Sequence, residues 1–464
     1  MGLPSFDPRP PRWPADAPLH QRLLRALVLG FALGSTTPAE PPVPAPKSPV
    51  PFLHLRETTL GYHGPDEDLV ELTEYRIGWF GPSDTTNQTG ADLWWAANLA
   101  VQEANAARTE RLSPSLEATP PQSAIQNPKS KIPFRLIPRW AADPWGSGVA
   151  QLARMVYEEK PVALLGSIDS ASTHLAEQIV AKANLPLVSP VATDPSITLA
   201  GVSWMFSCAP SDAAIARALV DDVLSAMGDA DGPLAMLTAT DHESRMTARE
   251  VLREFSRRQH PPDFRFNLPS GAPSIGRQLE AIAHARPAAL VIIAGAEDSA
   301  RLVRALRHPA PPAVSTDQQA AVPRLFGGPS MARSRFGELS GSAGEGVRFP
   351  LLARLEPADP RAARFVARFT AAHQRPPDYA AILTYDATCL LIEAVLEAGP
   401  NRNRVRQELI RLSPWPGIGG PIRFDGTGQN TRTDVPMANW RNGRLDPADR
   451  APSSRPAPQT RILP

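Results

Sequence analysis

From Tyr75 onward, short apolar runs alternate with longer segments in which apolar residues recur at helical spacing. The first apolar run, Tyr75–Phe80, predicts a strand, and a helix is predicted over residues 92–105. A strand at 134–138, a helix after Pro144 and a buried strand at 161–165 follow. This alternation is typical of a parallel sheet covered by helices, so the predicted fold class is α/β.

The same alternation continues in two series along the chain. The first proceeds through a helix at 172–183 to strands at 185–188 and 204–206. The second begins with a helix at 213–227 and runs to a strand at 324–326. Because each series is long enough to form its own sheet, the pattern predicts two Rossmann-like lobes of the same architecture.

The last part of the chain adds two helices, FVARFTAAH and YAAILTYDATCLLIEAVLEAG, and a final strand at 437–440. Their order suggests that the chain crosses back to the first lobe and then returns to the second, making a three-stranded hinge. The predicted lobes are therefore 75–206 with 350–418, and 207–349 with 419–445.

Both ends of the chain are rich in proline, of which the sequence contains 53. Arg22 and Arg25 precede an apolar run at 26–33 and small residues up to Ala39, which resembles a secretory signal. The run is shorter than the ~20 residues that a spanning helix needs. We therefore predict a signal-peptide region (1–39), a proline-rich linker (40–74), a disordered tail (446–464), and an exported, soluble, periplasmic protein.

The charge balance gives no reason to expect a polyanionic partner. The 464 residues include 48 basic and 47 acidic side chains, with a formal net charge of +1. No binding to nucleic acid is therefore expected. Cys208 and Cys389 are the only cysteines, and the sequence leaves open whether they form one bridge or remain two free thiols.

Motifs of common enzymes are absent from the sequence. It contains no Gly-Lys-Ser/Thr phosphate loop, no His-Glu-x-x-His pattern and no Gly-x-Ser-x-Gly elbow. The nine histidines are scattered, and His174 and His242 are interpreted as surface residues without a base partner. We therefore predict no catalytic residue, no metal site, no cofactor and no enzymatic activity.

Several sequence motifs follow one another along the chain in the order found in a known protein family: IGWFGP, AANLAVQEAN, LLGSIDSASTHLAEQIVAKANLPLVSPVATDPSIT, FSCAPSD, GGPSM, EGVRFP, PPDYAAILTYDA and GGPIRFDGTG. Over residues 75–445 the chain resembles the type 1 periplasmic binding proteins of the branched-chain amino acid uptake group. The resemblance implies two lobes joined by crossovers near 206–211, 347–351 and 419–423, with lobe closure on a ligand between them. It further implies an amino acid-like ligand and an ABC permease as partners, and we expect a monomer.

The resemblance places the ligand's carboxylate at Ser170, with Ala171 and Ser172 opening the next helix. Backbone N–H groups at a helix N-terminus favour an anion, which agrees with this assignment. The alternative is that Ser170 or Ser172 only caps the helix. Val191 and Thr193 fall where the family offers a backbone carbonyl and a hydroxyl to the ligand's amino group, although Thr193 could instead serve the following turn.

Further candidates in the first lobe are Ser83, Asp84 and Thr89, in the loop after the first strand. Asp84 could neutralise an ammonium group, but an exposed aspartate is more often only solvated. Trp140 follows a strand end and could form an aromatic wall of the cleft, with core packing as the alternative.

In the second lobe, the family's tyrosine of a Tyr-Gly pair is replaced here by Glu243. A glutamate that faces the cleft could pair with a cation, whereas one that points outward is only a favourable charge at a helix N-terminus. Glu297 follows a strand end and would also meet a ligand. Because position 243 departs from the family, leucine-like specificity is not carried over.

The predicted function is that of an extracytoplasmic solute-binding protein, which captures an amino acid or a related compound for an ABC-type importer. A ligand-sensing receptor domain of the same fold is the alternative. A scaffold that has lost binding is a third class, which would be supported by a cleft filled with the protein's own side chains.

Overall fold

The computed structural model describes most of the chain between residues 67 and 447. The positions left out of this description are 70–71, 85, 87–89, 113–131, 142–143, 200–202, 229–231, 309–321 and 357. The predicted signal-peptide region, most of the predicted linker and nearly all of the predicted tail therefore lie outside the described residues, as does Thr89.

The first sheet contains five strands: β1 (Tyr75–Phe80), β2 (Phe134–Arg139), β3 (Ala163–Gly166), β4 (Leu187–Ser189) and β5 (Met205–Ser207). Their order is β2-β1-β3-β4-β5, and all neighbours are parallel. All four residues of the central strand β3 are buried, as expected for a parallel strand covered on both faces.

The remaining strands are β6 (Leu234–Ala239), β7 (Phe264–Leu268), β8 (Ala289–Ile293), β9 (Arg324–Gly327), β10 (Arg348–Pro350), β11 (Trp415–Gly417), β12 (Gly420–Ile422), β13 (Met437–Arg441) and β14 (Arg444–Pro447). The second sheet has the order β14-β13-β10-β9-β8-β6-β7 and is parallel except for β13 and β14. Strands β11 and β12 form a separate antiparallel hairpin.

The α-helices are α1 (Ala91–Leu112), α2 (Val149–Arg154), α3 (Ser170–Ala183), α4 (Ser196–Leu199), α5 (Asp212–Met227), α6 (His242–Arg257), α7 (Gly276–Ala285), α8 (Ala296–Arg307), α9 (Ser334–Ser340), α10 (Pro360–His373), α11 (Tyr379–Ala398) and α12 (Arg402–Arg411). Two π-helical segments, Pro144–Gly148 and Met155–Glu159, flank α2.

The late helices return to the first sheet. In α10, Phe369 packs edge-on against Trp95 of α1, with ring centroids 5.2 Å apart, and Arg368 forms an ion pair with Glu103. We define the first lobe as the first sheet with α1–α4, α10–α12 and the β11–β12 hairpin, and the second lobe as the second sheet with α5–α9. The predicted α/β class with two parallel-rich lobes is confirmed.

The chain passes between the lobes three times, after Ser207, after Pro350 and between Ile422 and Met437. Backbone hydrogen bonds join these crossings: Ser207 N–H donates to Gly428, and Leu351 N–H donates to Pro436. The third crossing begins after Ile422, at the end of the predicted stretch 419–423, because residues 420–422 form β12 of the β11–β12 hairpin.

Helix α11 is long and apolar enough to cross a membrane by length and composition, but 72% of its 18-residue window is buried inside the protein. It packs against α1 of the first lobe. Because its apolar surface is already covered by the protein, α11 is interpreted as a core helix.

Several elements of the fold were not expected from the sequence, among them α4, α9, α12 and β14. Helix α12 was not predicted, because Val405 and Leu409 are its only buried apolar side chains and make a weak stripe. Helix α3 begins at Ser170, two residues earlier than predicted. Cys208 is buried and Cys389 half-buried, and both are free thiols.

Candidate functional site

The loop from β3 to α3 places the N-terminus of α3 at the boundary between the lobes. Gly166 has φ of +132°, and a Cβ there would lie 2.6 Å from the carbonyl oxygen of Phe80, so this position requires glycine. Asp169 caps α3 by accepting from the N–H of Ser172 at 2.8 Å. Since Asp169 is the cap, the N–H groups of Ser170 and Ala171 are available to another acceptor.

That acceptor is the carboxylate of Glu243, which comes from the other lobe. Its Oε1 accepts from the N–H of Ser170 at 2.5 Å and from the N–H of Ala171 at 3.2 Å, and its Oε2 accepts from the Ser170 hydroxyl at 3.0 Å. The structure therefore brings together three of the predicted site residues. A carboxylate occupies the place that the resemblance assigns to the ligand's carboxylate, but it belongs to the protein itself.

Helix α6 positions Glu243 for this contact. Asp241 caps α6 by accepting from the N–H of Ser244 at 2.9 Å, which places Glu243 in the first turn. Burial, together with the negative charges of Asp169 and Asp212, raises the pKa of Glu243 to about 8, although its hydrogen bonds with Ser170 oppose this shift.

Ser170 also ties the α3 N-terminus to the loop after β4. Its hydroxyl oxygen accepts from the N–H of Thr193 at 3.2 Å and from the N–H of Asp194 at 3.3 Å. The side chain is completely buried. All hydrogen-bonding positions of the hydroxyl are thus occupied: it accepts two bonds within the first lobe and donates one to Glu243.

The other residues of this loop are turned toward the protein. Val191 belongs to the hydrophobic core, and Thr193 is 7% exposed. The Thr193 side chain hydrogen-bonds to Asp212, whose pKa burial raises to about 7. The Thr193 carbonyl accepts from the Asp212 N–H at 2.8 Å.

Asp194 lies at the end of the same loop and pairs with His174 at 3.2 Å. Hydrogen bonds to Asp194 and Glu177 raise the pKa of His174 to about 9. Burial alone would raise the pKa of Asp194, but the hydrogen bonds from His174 and Ser196 hold it well below its usual range.

The remaining predicted site residues lie elsewhere. Ser83 and Asp84 are exposed, and Asp84 accepts from the N–H and hydroxyl of Thr86. Trp140 packs against Phe80 with ring centroids 5.3 Å apart. Glu297 has an exposed side chain that pairs with Arg335 of the same lobe. None of these contacts Glu243 in the part of the chain that the structure describes.

A second contact between the lobes was not anticipated from the sequence. Arg333, just before α9, donates from Nε to Asp378 at 2.8 Å, and the N–H of Ser334 donates to the same oxygen at 3.2 Å. Asp378 also caps α11. An aspartate before an apolar helix predicts a helix cap. No sequence pattern predicts that this aspartate also pairs with a buried arginine of the other lobe.

Beside this ion pair lies a cavity of about 450 Å³. Both lobes contribute to its lining, which consists of Thr86, Ala91, Asp92, Trp95, Arg333, Arg335, Glu338, Ala372, His373, Arg375 and Asp378. Nη1 of Arg375 and Nε2 of His373 are buried and have no hydrogen-bond partner among the described residues. The cavity therefore lies between residues that carry two unsatisfied polar nitrogens, although none of the predicted site residues lines it.

Comparison with known proteins identifies relatives of the whole described region. The family model described as periplasmic binding protein matches residues 74–444. No curated protein matches the chain.

Several solved structures are similar in fold. The substrate binding protein LivJ from Streptococcus pneumoniae, in complex with isoleucine, is 17% identical, with 80% of this chain and 98% of that chain covered and a TM-score of 0.65. An ABC transporter substrate-binding protein from Desulfitobacterium hafniense, in complex with Leu, is 22% identical (81% and 100% covered, TM-score 0.61). A solute binding protein from R. palustris, in complex with benzoate, is 16% identical (81% and 95% covered, TM-score 0.64).

Proposed function

This chain belongs to the periplasmic binding protein family, and from that premise we propose that it is an extracytoplasmic solute-binding protein of an ABC-type importer. Its proposed ligand is a small polar molecule, an amino acid or a related carboxylate, held between the two lobes. The family is one of binding proteins, not of enzymes, in agreement with the sequence analysis.

The observation that supports a carboxylate ligand is the binding of the Glu243 carboxyl group at the N-terminus of α3. Two backbone N–H groups and the Ser170 hydroxyl converge on one carboxylate there. Hydrogen bonds from such donors to an ionised carboxylate are charge-assisted and therefore strong, and a helix N-terminus favours an anion. The same donors would hold a ligand's carboxylate, and isoleucine, leucine and benzoate, the ligands of the three similar structures, all carry one.

Glu243 gives this function a specific constraint, because a ligand carboxylate must displace it. An internal competitor has an effective concentration on the order of millimolar, so it weakens a ligand that uses the same donors. The apparent affinity for the ligand equals the intrinsic affinity multiplied by the fraction of molecules in which the donors at the α3 N-terminus are free of Glu243. We therefore propose that carboxylate ligands bind when the lobes part and Glu243 withdraws.

The same observation favours a second candidate function. A protein whose cleft is filled by its own carboxylate could be a scaffold that no longer binds a ligand. The two candidates differ in what Glu243 does: in a binding protein it is displaced, whereas in a scaffold it is permanent.

Calorimetry with a panel of amino acids, aromatic acids and their amides distinguishes these functions. The panel is titrated into the wild type, Glu243→Ala and the matched control Glu297→Ala, which removes an exposed acid at another second-lobe helix start. We expect a carboxylate to bind Glu243→Ala roughly tenfold or more tightly than wild type, with Glu297→Ala unchanged. If neither the wild type nor Glu243→Ala binds any member, the solute-binding proposal fails and the scaffold stands.

A further inference from the structure

Next to the binding site of the Glu243 carboxyl group, three side chains with metal-ligating atoms meet across the boundary of the lobes. Nε2 of His174 lies 3.2 Å from Oδ2 of Asp194, and Nε2 of His242 lies 3.4 Å from the same oxygen. All three atoms lie within 4.8 Å of one another. His174 and Asp194 belong to the first lobe and His242 to the second.

Two of the three ligand residues, Asp194 and His174, are oriented by their surroundings. Oδ1 of Asp194 accepts from the N–H of Ser196 at 2.9 Å and from its hydroxyl at 2.8 Å, which leaves Oδ2 to face both imidazoles. Nδ1 of His174 lies 3.3 Å from Oε2 of Glu177. A carboxylate on the far nitrogen of a histidine is the usual arrangement around a metal-ligating imidazole, because it fixes the tautomer and the ring orientation.

His242 supplies the observation that points to an absent ligand. Its Nε2 is buried and has no hydrogen-bond partner among the described residues, although the carboxylate of Asp194 is 3.4 Å away. A buried polar nitrogen without a partner costs free energy, and a metal ion at this point would satisfy it.

We propose that His174, Asp194 and His242 form a site for a divalent transition-metal ion, of which Zn²⁺ is the best match. Two imidazole nitrogens and one carboxylate oxygen are ligands that Zn²⁺ accepts, with a fourth position left open. Zn–N and Zn–O bonds of about 2.0–2.1 Å in a tetrahedron place ligand atoms about 3.3 Å apart. The two measured separations agree with that spacing. The Ser196 hydroxyl lies 3.1 Å from Nε2 of His174, and this hydrogen bond breaks when the metal binds.

The site has a consequence for the movement of the lobes. Only the closed arrangement presents three ligands, because His242 moves away with the second lobe when the lobes part. Metal binding and closure are therefore coupled, and each favours the other by the same factor. The inference is independent of the identity of the organic ligand, since the hydrogen bonds of the Glu243 carboxyl group go to Ser170 and Ala171 and not to these three side chains.

The test uses full-length protein stripped with a chelator and titrated calorimetrically with Zn²⁺. We expect one saturable site in the wild type that is weakened at least tenfold in His174→Asn and in His242→Asn. His260→Asn, which removes an exposed histidine after the same helix, is the matched control and should bind like wild type. Circular dichroism of each variant confirms that it is folded, and Co²⁺ should give the visible absorption bands of a four-coordinate site.

Two results would overturn the proposal. One is the absence of saturable binding of Zn²⁺ to folded wild type, which would leave the cluster as an ion pair of His174 with Asp194. The other is equal affinity of the wild type and the folded His242→Asn variant, which would place the bound metal elsewhere, for example on histidines of the terminal segments.

Discussion

Two carboxyl groups of this protein, those of Asp386 and Glu243, are held by the same kind of donors but connect different parts of it. Asp386, in the middle of α11, accepts from the N–H groups of Ile418 and Gly419, both at 2.8 Å. Glu243 accepts from the N–H groups of two successive residues at the start of α3. Burial raises the pKa of both carboxyls, of Asp386 to about 7 and of Glu243 to about 8.

The difference lies in what each contact joins. Asp386 links α11 to the β11–β12 hairpin inside the first lobe, so its donors stay buried whenever that lobe is folded. Glu243 links two lobes, so its donors meet water as soon as the lobes part. Similar local chemistry therefore has a structural role in one region and a conformational role in the other.

The largest expected effect is on stability. Asp386→Ala leaves the N–H groups of Ile418 and Gly419 buried without an acceptor, so we expect it to lower the free energy of unfolding by about 3 kcal/mol. Glu243→Ala exposes its donors to water and should cost less than about 1 kcal/mol. Urea denaturation of the two variants measures both values. Equal losses of free energy would contradict the proposed difference between the two carboxyl groups.

A second prediction concerns the close approach of the hairpin to Asp386. A Cβ on Gly417 would lie 2.5 Å from Oδ2 of Asp386 and 2.8 Å from the carbonyl oxygen of Gly420. We expect Gly417→Ala to destabilise the protein by about 2 kcal/mol, because the hairpin must shift. Gly426→Ala is the control, since its Cβ would meet no atom within 4 Å. Equal melting temperatures of the two variants would contradict this account.

A third effect, which develops gradually, should appear in the pH dependence of stability. The pKa of Asp386 is about 7 in the folded protein and about 3.9 for an unfolded aspartate. Between these values the folded state retains a proton that the unfolded state has released. The contribution of Asp386 is therefore complete below about pH 4 and is lost as the pH rises to about 7.

Asp386→Asn removes this titration while keeping the size of the side chain. The wild-type advantage over Asp386→Asn in free energy of unfolding should therefore shrink by about 1 kcal/mol per pH unit between about pH 4.5 and 6.5. Urea denaturation across this range provides the measurement. A constant advantage would mean that Asp386 is already ionised in the folded protein.

Much of the fold could be predicted from the sequence, because the alternation of apolar runs and helical segments is a local signal. Most predicted strands and helices lie within two residues of the observed ones. The exceptions have weak local signals, as in α12, where only Val405 and Leu409 mark the buried face.

The site could be predicted only in part. Ser170, Ala171 and Glu243 were singled out, but their contact spans 72 or 73 positions and depends on lobe closure. No local pattern reports such a contact. His174 and His242 were interpreted as surface residues because the sequence does not show that Asp194 lies between them.

The most direct test of the account measures whether Glu243 holds the lobes together without ligand. Spin labels on Lys182→Cys of α3 and Glu280→Cys of α7, both exposed positions, report the distance between the lobes after replacement of the two native cysteines. In ligand-free protein with Glu243 we expect one narrow distance distribution. In the Glu243→Ala background the distribution should broaden and shift, whereas Glu297→Ala should leave it unchanged. Identical distributions with Glu243 and with alanine at this position would contradict the claim that this side chain holds the lobes together.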